Sequence, residues 1–250
     1  MVESDSLETI NIQLQHLPSH DLMASLLIYT ETITAIMAFV VVFAFYNFYR
    51  TTRFVHIIGI AIGFSFITLA KVLLALDVWL FFDPQIFNLV YWLRFLSSSL
   101  GYAFVAMSYY YKYRERQMTP SLLRFVSLSI ASIIVLVSVI VMLPSMFNLP
   151  SYSQVDEYFR IFNLIMLGYV FKSSLGSILE HGGKKFLYIP AGFMVLWLGQ
   201  YTTLLTSNEN INAFIATQLS EIIGLALIVG VLFQVIKQKV VATMEGDRSG

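Results

Sequence analysis

The chain has 250 residues, 58% of them hydrophobic and only 12% charged, with a mean hydropathy of +0.75. A soluble domain carries about 25% charged residues, and here fifteen basic residues are matched by fifteen acidic ones, so a soluble enzyme, a disordered chain and a nucleic-acid binder are excluded. There is no cysteine, hence no disulfide scaffold, thiolate metal site or cysteine nucleophile.

Seven apolar stretches follow one another along the chain: Leu22–Tyr46, Phe54–Leu76, Phe87–Tyr111, Leu122–Leu143, Tyr158–Leu179, Phe186–Thr206 and Ala213–Ile236. At a rise of about 1.5 Å per residue, each is long enough for a hydrocarbon core of about 30 Å. The breaks between them carry turn chemistry: Asp83-Pro84, Thr119-Pro120, Pro144 and Pro150 around Asn148, Gly182-Gly183, and Asn208-Glu209-Asn210. The fold expected is an all-α integral membrane protein, a seven-transmembrane helix bundle at residues 22–236. A polar extracellular segment, 1–21, precedes it and a short cytoplasmic tail, 237–250, follows. Residues 1–21 lack a small-residue cleavage site, so the first span is expected to stay in the mature protein.

Orientation follows from charge. Arg50, Arg53, Lys112, Arg114, Arg116, Arg124, Lys184, Lys185, Lys237, Lys239 and Arg248 all fall in alternate connecting segments. The remaining segments hold acids instead, among them Asp21, Asp77, Asp83, Asp156 and Glu209. The positive-inside rule then puts the N-terminus outside and the C-terminus in the cytoplasm of a cell-membrane protein. The tyrosine runs at Tyr46–Tyr49 and Tyr109–Tyr113 read as an aromatic belt beside basic anchors. Gly59 and Gly63 form a GxxxG pattern that lets a neighbouring helix of the same bundle come close. Span four holds no charge beyond Arg124 and reads as a peripheral, lipid-facing helix.

What remains inside the spans is a short set of ionisable groups. Glu31, Lys71, Arg94, Gln200 and Glu221 lie about 8 to 14 Å from the outer ends of five different helices, with Gln218 one turn from Glu221. A lone charge near a helix centre costs about 2.5–3.5 kcal/mol even on the lenient insertion scale. These groups are therefore expected to face the bundle interior and to offset one another, two acids against two bases. Helical spacing agrees. Glu31, Thr34, Ala35 and Ala38 share a face, as do Arg94, Ser97, Ser98, Gly101, Val105 and Ser108, and Thr217, Gln218, Glu221 and Gly224. Arg160, two residues into span five, is expected to snorkel outward as an edge anchor. Lys172 lies within reach of Glu180 or the headgroups, and Asn163 is a neutral polar companion. His16, His20 and Asp21 have metal-ligand spacing, but Pro18 breaks the helix between them and no further outside histidine completes a site. No metal is expected.

Trp92-Leu93-Arg94-Phe95 in span three, Val195-Leu196-Trp197 in span six and Asn210-Ile211 opening span seven, together with the topology, resemble the microbial rhodopsins. That family holds retinal as a Schiff base on a lysine of span seven. Residues 213–236 contain no lysine, Gly224 stands near its place, and Ser97 stands where the acidic counter-ion is expected. The resemblance implies a shared bundle shape with Arg94 kept, without retinal and with no other cofactor predicted. The basic, tyrosine-rich edges also resemble the seven-helix membrane sensor regions that precede kinase or cyclase domains in prokaryotes, although only fourteen residues follow Ile236.

No GxSxG, HExxH or Gly-rich phosphate loop occurs, so no catalytic residue is nominated. The expected function is receptor- or sensor-like signal transduction. Glu31, Lys71, Arg94, Gln200, Gln218 and Glu221 would form a ligand-binding or ion-relay pocket in the outer half. A small ligand or a proton would act there, and a cytoplasmic or membrane protein would receive the signal. The alternatives are a small secondary transporter using the same residues, or a structural subunit of a membrane complex. A three-one-three transporter layout fits the helix count. Arg94 and Gln218 are each the seventh residue after Phe87 and Ile211, a hint of a repeat, but only Pro190 lies within a span.

Overall fold

The computed structural model describes residues 20–80, 84–114, 127–135, 138, 152–181, 187–205 and 211–246, with side chains over a narrower set. Every regular element among them is helical. We number them α1 (His20–Thr52), α2 (Val55–Leu80), α3 (Pro84–Arg114), α4 (127–135), α5 (Tyr152–His181), α6 (Tyr188–Leu205) and α7 (Ile211–Gly246). Apolar runs make helices here because hydrocarbon offers no partner to a backbone N–H or C=O, and a helix satisfies both internally. The hydrogen-bond ladder does not stop where the apolar run stops. Helix α1 extends six residues past Tyr46, and α7 ten past Ile236. That extension carries Lys237 and Lys239, about 24 Å along the helix from Glu221, so it brings no lysine to the level of the polar groups.

Five helical segments are long and apolar enough to cross a membrane: Leu27–Arg50, Val55–Leu76, Leu89–Lys112, Asp156–Leu179 and Ile215–Gln234. Two of the seven expected spans fall outside this set. Helix α6 has 18 residues, about 27 Å of rise, and Pro190, Gly192, Gly199 and Gln200 dilute its apolar character. The described part of α4 is too short to span on its own.

Helices α1, α2, α3, α5, α6 and α7 close into a ring in that order, α7 packing back on α1. Between α1 and α2 only Arg53 and Phe54 are non-helical. Arg53 takes a left-handed φ of 60° and its N–H donates to the Tyr49 carbonyl at 2.7 Å, a one-residue cap that turns the chain back. Short links likewise make α2 antiparallel to α3 and α6 antiparallel to α5 and α7. Helices α3 and α5 run in parallel, because they meet at both ends. Near one end the Phe95 and Phe159 rings stack at 5.6 Å, and near the other Lys112 Nζ donates to Ser177 Oγ at 2.6 Å. Helix α4 is not one of the six ring helices, and its Leu128, Ile130, Ile133, Ile134 and Val135 are exposed.

The ring interior is filled by one apolar cluster to which all six helices contribute, including Ala38, Val41, Phe64, Val105, Leu167, Phe193 and Ile228. Ala38 and Ile228 each lie seven residues beyond Glu31 and Glu221, and Phe64 seven before Lys71. The plug therefore sits about 10 Å from those groups, on the side of the basic chain segments. The outer surface is apolar too, with Phe39 and Phe43 of α1 and Ile165 of α5 each more than 60% exposed. An apolar skin over a buried interior suits lipid.

Two glycine crossings set the tightest spacings. A Cβ on Gly63 would stand 2.7 Å from the Gly101 carbonyl oxygen, and one on Gly101 2.7 Å from that of Gly63. Gly192 and Gly224 meet in the same reciprocal way, at 2.7 and 2.9 Å. Gly63 thus serves contact within the bundle, as the GxxxG pattern implied. Gly230 has nothing within 4 Å of its Cβ direction. Gly101→Ala and Gly224→Ala should each lower the thermal midpoint measured in detergent, because backbone atoms cannot yield. Gly230→Ala should leave it unchanged or raise stability by up to about 1 kcal/mol through helix propensity. Equal loss in all three variants would contradict the packing described.

Candidate functional site

Glu31, Thr34, Ala35 and Ala38 on α1 are all buried, and so are Thr217, Gln218, Glu221 and Gly224 on α7. The two inward faces expected from helical spacing are therefore the faces that form. On α3, Ser97, Gly101, Val105 and Ser108 are buried, with Arg94 and Ser98 partly so.

These faces bring the ionisable groups together. Lys71 of α2 sends its ammonium between two carboxylates from opposite ends of the chain. Its Nζ is 3.2 Å from Glu31 Oε2 and 3.5 Å from Glu31 Oε1, and it is also ion-paired and hydrogen-bonded to Glu221 Oε2. Amides extend the group on both sides. Gln218 Nε2 donates to Glu31 Oε1 at 3.1 Å, and Gln200 Nε2 donates to Glu221 Oε1 at 3.3 Å. Five of the six expected residues, from four helices, thus make one connected polar centre. The Glu31 side chain is fully buried, while those of Glu221 and Lys71 keep 7% and 12% exposure. In surroundings this dry, attraction between opposite charges is weakly screened, and an unpaired charge is correspondingly costly.

Arg94 departs from the expectation. Among the described residues it makes no ion pair with a carboxylate. Its guanidinium instead lies 5.6 Å from the Tyr91 ring centre and 5.7 Å from that of Phe95. Rings on its own helix, one residue after it and three before, give the cation a face to rest on. It is still near enough for its charge to act on Glu31 and Lys71 through space. Direct pairing is thus two acids to one base, and Arg94 supplies the second positive charge from outside the contact shell.

Arg160 turns back toward the N-terminal end of α5, where its Nε donates to Asp156 Oδ2 at 2.6 Å, one turn earlier. Lys172 is exposed. Tyr46 and Tyr110 are exposed as belt residues should be, but Tyr109 turns inward and meets Phe193 edge-on at 6.0 Å. His16 lies outside the described residues, as do the side chains of His20 and Asp21.

Several neighbours of the centre were not singled out from the sequence. Tyr102, 5% exposed, feels the charges of Glu31 and Glu221. Its place one turn after Ser98 put it beside the polar stripe. Thr203 and Thr217 share a hydroxyl hydrogen bond of 2.9 Å between α6 and α7. Trp197 Nε1 donates to the Leu164 carbonyl at 3.1 Å, tying α6 to α5. Six buried side-chain oxygens have no hydrogen-bond partner among the described residues: Glu31 Oε2, Ser97 Oγ, Ser99 Oγ, Asp156 Oδ1, Asn163 Oδ1 and Gln218 Oε1. Glu31 Oε2 is close to Lys71 but lacks hydrogen-bond alignment, so the ammonium reaches it by charge alone. Acceptors without donors can take a water, a proton or a ligand donor.

Removing Lys71 leaves two buried carboxylates facing each other. Lys71→Met should therefore destabilise the bundle by about 3 kcal/mol or more, read as a lower unfolding midpoint in detergent. Lys71→Met combined with Glu221→Gln should be less destabilised than Lys71→Met alone, since the second change removes one stranded charge. Strictly additive losses would show that the two residues do not interact.

No protein-family model, no curated protein and no solved structure matches this chain.

Proposed function

We propose that the chain is a receptor- or sensor-like membrane protein that crosses the bilayer seven times with its N-terminus outside. The observation that carries this reading is the Lys71 ammonium held by Glu31 and Glu221. A charge balanced between helices α1, α2 and α7 is a natural two-state element. A proton on either carboxylate, or a small polar ligand competing for the ammonium, weakens one pair and shifts the helices that carry it. The ligand can shift this equilibrium only by its preference for one arrangement, and a shared ion pair provides such a preference. The apolar plug beneath the centre blocks simple passage and transmits displacement, because packed side chains move together. The basic segments at the far end then offer a charged surface to a protein partner. The absence of lysine near Glu221 on α7 supports a reading without retinal.

A small carrier is the second reading, favoured by one observation: two carboxylates from separate helices share a single cation, the arrangement a proton or cargo would compete for. Two measurements discriminate. In liposomes with an entrapped pH-sensitive dye and an imposed pH gradient, the receptor reading expects no proton flux above that of protein-free lipid. Sustained flux abolished by Glu221→Gln would replace it with the carrier reading. In nanodiscs, Glu221→Gln should change amide hydrogen exchange several-fold at the basic ends of α1 and α7, beyond the plug. A change confined to the outer half would mean that the centre does not signal across the bundle.

A further inference from the structure

We infer that the ring is two parallel three-helix bodies, hinged along one seam and latched along the other by the Glu31–Lys71–Glu221 centre. The first body is α1–α3 and the second α5–α7, with α4 outside both. Three independent features carry the division.

Burial repeats along the chain. The five buried residues of α6 have buried counterparts on α2 at a constant separation of 129 positions, Gly63 with Gly192 and Phe64 with Phe193 among them. The five buried residues described on α5 have buried counterparts on α1 at that same separation, for example Ala38 with Leu167. One offset shared by two helices is not expected of unrelated segments.

The glycine crossings repeat as well. Gly63 meets Gly101 between α2 and α3, and Gly192 meets Gly224 between α6 and α7. In both, the residue four positions after each glycine closes the contact: Ile67 and Val105 in one, Leu196 and Ile228 in the other. Backbone-to-backbone contact leaves α2 no freedom to slide on α3, nor α6 on α7, and Phe45 stacked on Phe64 and Trp197 bonded to the Leu164 carbonyl join α1 and α5 to them.

The seams between the bodies are equivalent in position and opposite in chemistry. Gly101 corresponds to Gly224, which carries Phe95 onto Gln218, while Phe159 falls on Thr30, next to Glu31. The α3·α5 contact of Phe95 with Phe159 is therefore matched across the ring by the α1·α7 contact of Gln218 with Glu31. The first seam is aromatic at this level and fixed by ring size. Phe159 is held by Phe95 and, edge-on at 5.8 Å, by Trp92, and Lys112 binds Ser177 at its other end. The second is polar, and the Lys71–Glu221 pair spans the two bodies beside it. Lys71 itself stands where the second body has Gln200, 129 positions later, and both reach Glu221. A charge in one body in place of an amide in the other makes the seams unequal. A neutralised ammonium releases only the α1·α7 side, and the bodies then part there, pivoting on the aromatic seam. The division does not depend on whether the centre senses or carries.

The cysteine-free sequence allows spin labels to be placed without background. One pair reports the latch, at Leu27→Cys and Ile215→Cys; the other reports the hinge, at Leu89→Cys and Tyr158→Cys. Electron–electron distances are measured in nanodiscs for the otherwise native chain and with Lys71→Gln. The latch distance should lengthen by roughly 5 Å, the scale of a one-turn helix shift, while the hinge distance stays unchanged. Gln218→Leu, which keeps Lys71 and its pairs, provides the milder variant should Lys71→Gln not fold, and should shift the latch distance in the same direction by less. Equal widening at both seams, widening at the hinge alone, or no movement in either folded variant would overturn the proposal.

Discussion

An ammonium in hydrocarbon has to find an anion, and in this molecule that requirement organises much else. Lys71 lies on α2, which offers it no acid at helical spacing in its own interior, so α1 and α7 must each turn an acidic face inward. Placing Glu31 and Glu221 around one cation fixes how the first and last ring helices meet, and hence how the ring closes. The Gln200 amide then donates to the Glu221 oxygen the cation leaves, and the Gln218 amide shares Glu31 Oε1 with the cation. A ring assembled from greasy helices alone would have many near-equivalent rotations, and buried polar contacts select among them.

Small residues let this arrangement fit. Around Glu31 and Glu221 the inward faces carry Thr34, Ala35, Thr217 and Gly224, and on α3 the serines and Gly101 do the same. Two turns further in, the side chains become large and apolar, and the interior is filled. The contrast divides the bundle into a polar half and a plugged half. An event at the ion pairs can reach the far end only through packed side chains and rigid helices. The paired glycine crossings supply that rigidity between α2 and α3 and between α6 and α7, and the seams between the two bodies are, on the division inferred above, where movement is cheapest.

The helices, their inward faces and the meeting of Glu31, Lys71 and Glu221 were legible because each follows from a local rule: an apolar run, a 3.6-residue period and the cost of a lone charge. Arg94 was misjudged for a physical reason. A guanidinium has a second way to be satisfied, over aromatic faces, and Tyr91 and Phe95 stand at the spacing that provides it. Arg160 reaches toward the end of α5 from which it was expected to leave, and the spacing of Asp156 one turn away adds a partner there. The repeat was visible only as a faint correspondence of Arg94 with Gln218, one position off the register the glycine crossings set, because chemistry diverged where geometry was kept: Phe95 and Phe159 in one seam stand where Gln218 and Thr30, beside Glu31, stand in the other. Constant burial spacing becomes apparent only once the inward faces are known. Helix ends also exceeded the apolar runs, since hydropathy marks the edge of hydrocarbon and not the end of the hydrogen-bond ladder.

The central claim is that one ammonium serves two carboxylates. Solid-state NMR dipolar dephasing on the protein in lipid, with lysine labelled at 15Nζ and glutamate at 13Cδ, tests it directly. A strongly coupled lysine nitrogen that disappears in Lys71→Gln, with its dephasing reduced in both Glu31→Gln and Glu221→Gln, is the result this account predicts. A Lys71 nitrogen without a nearby carboxylate carbon, or coupled to one of the two glutamates and indifferent to the other, would contradict it.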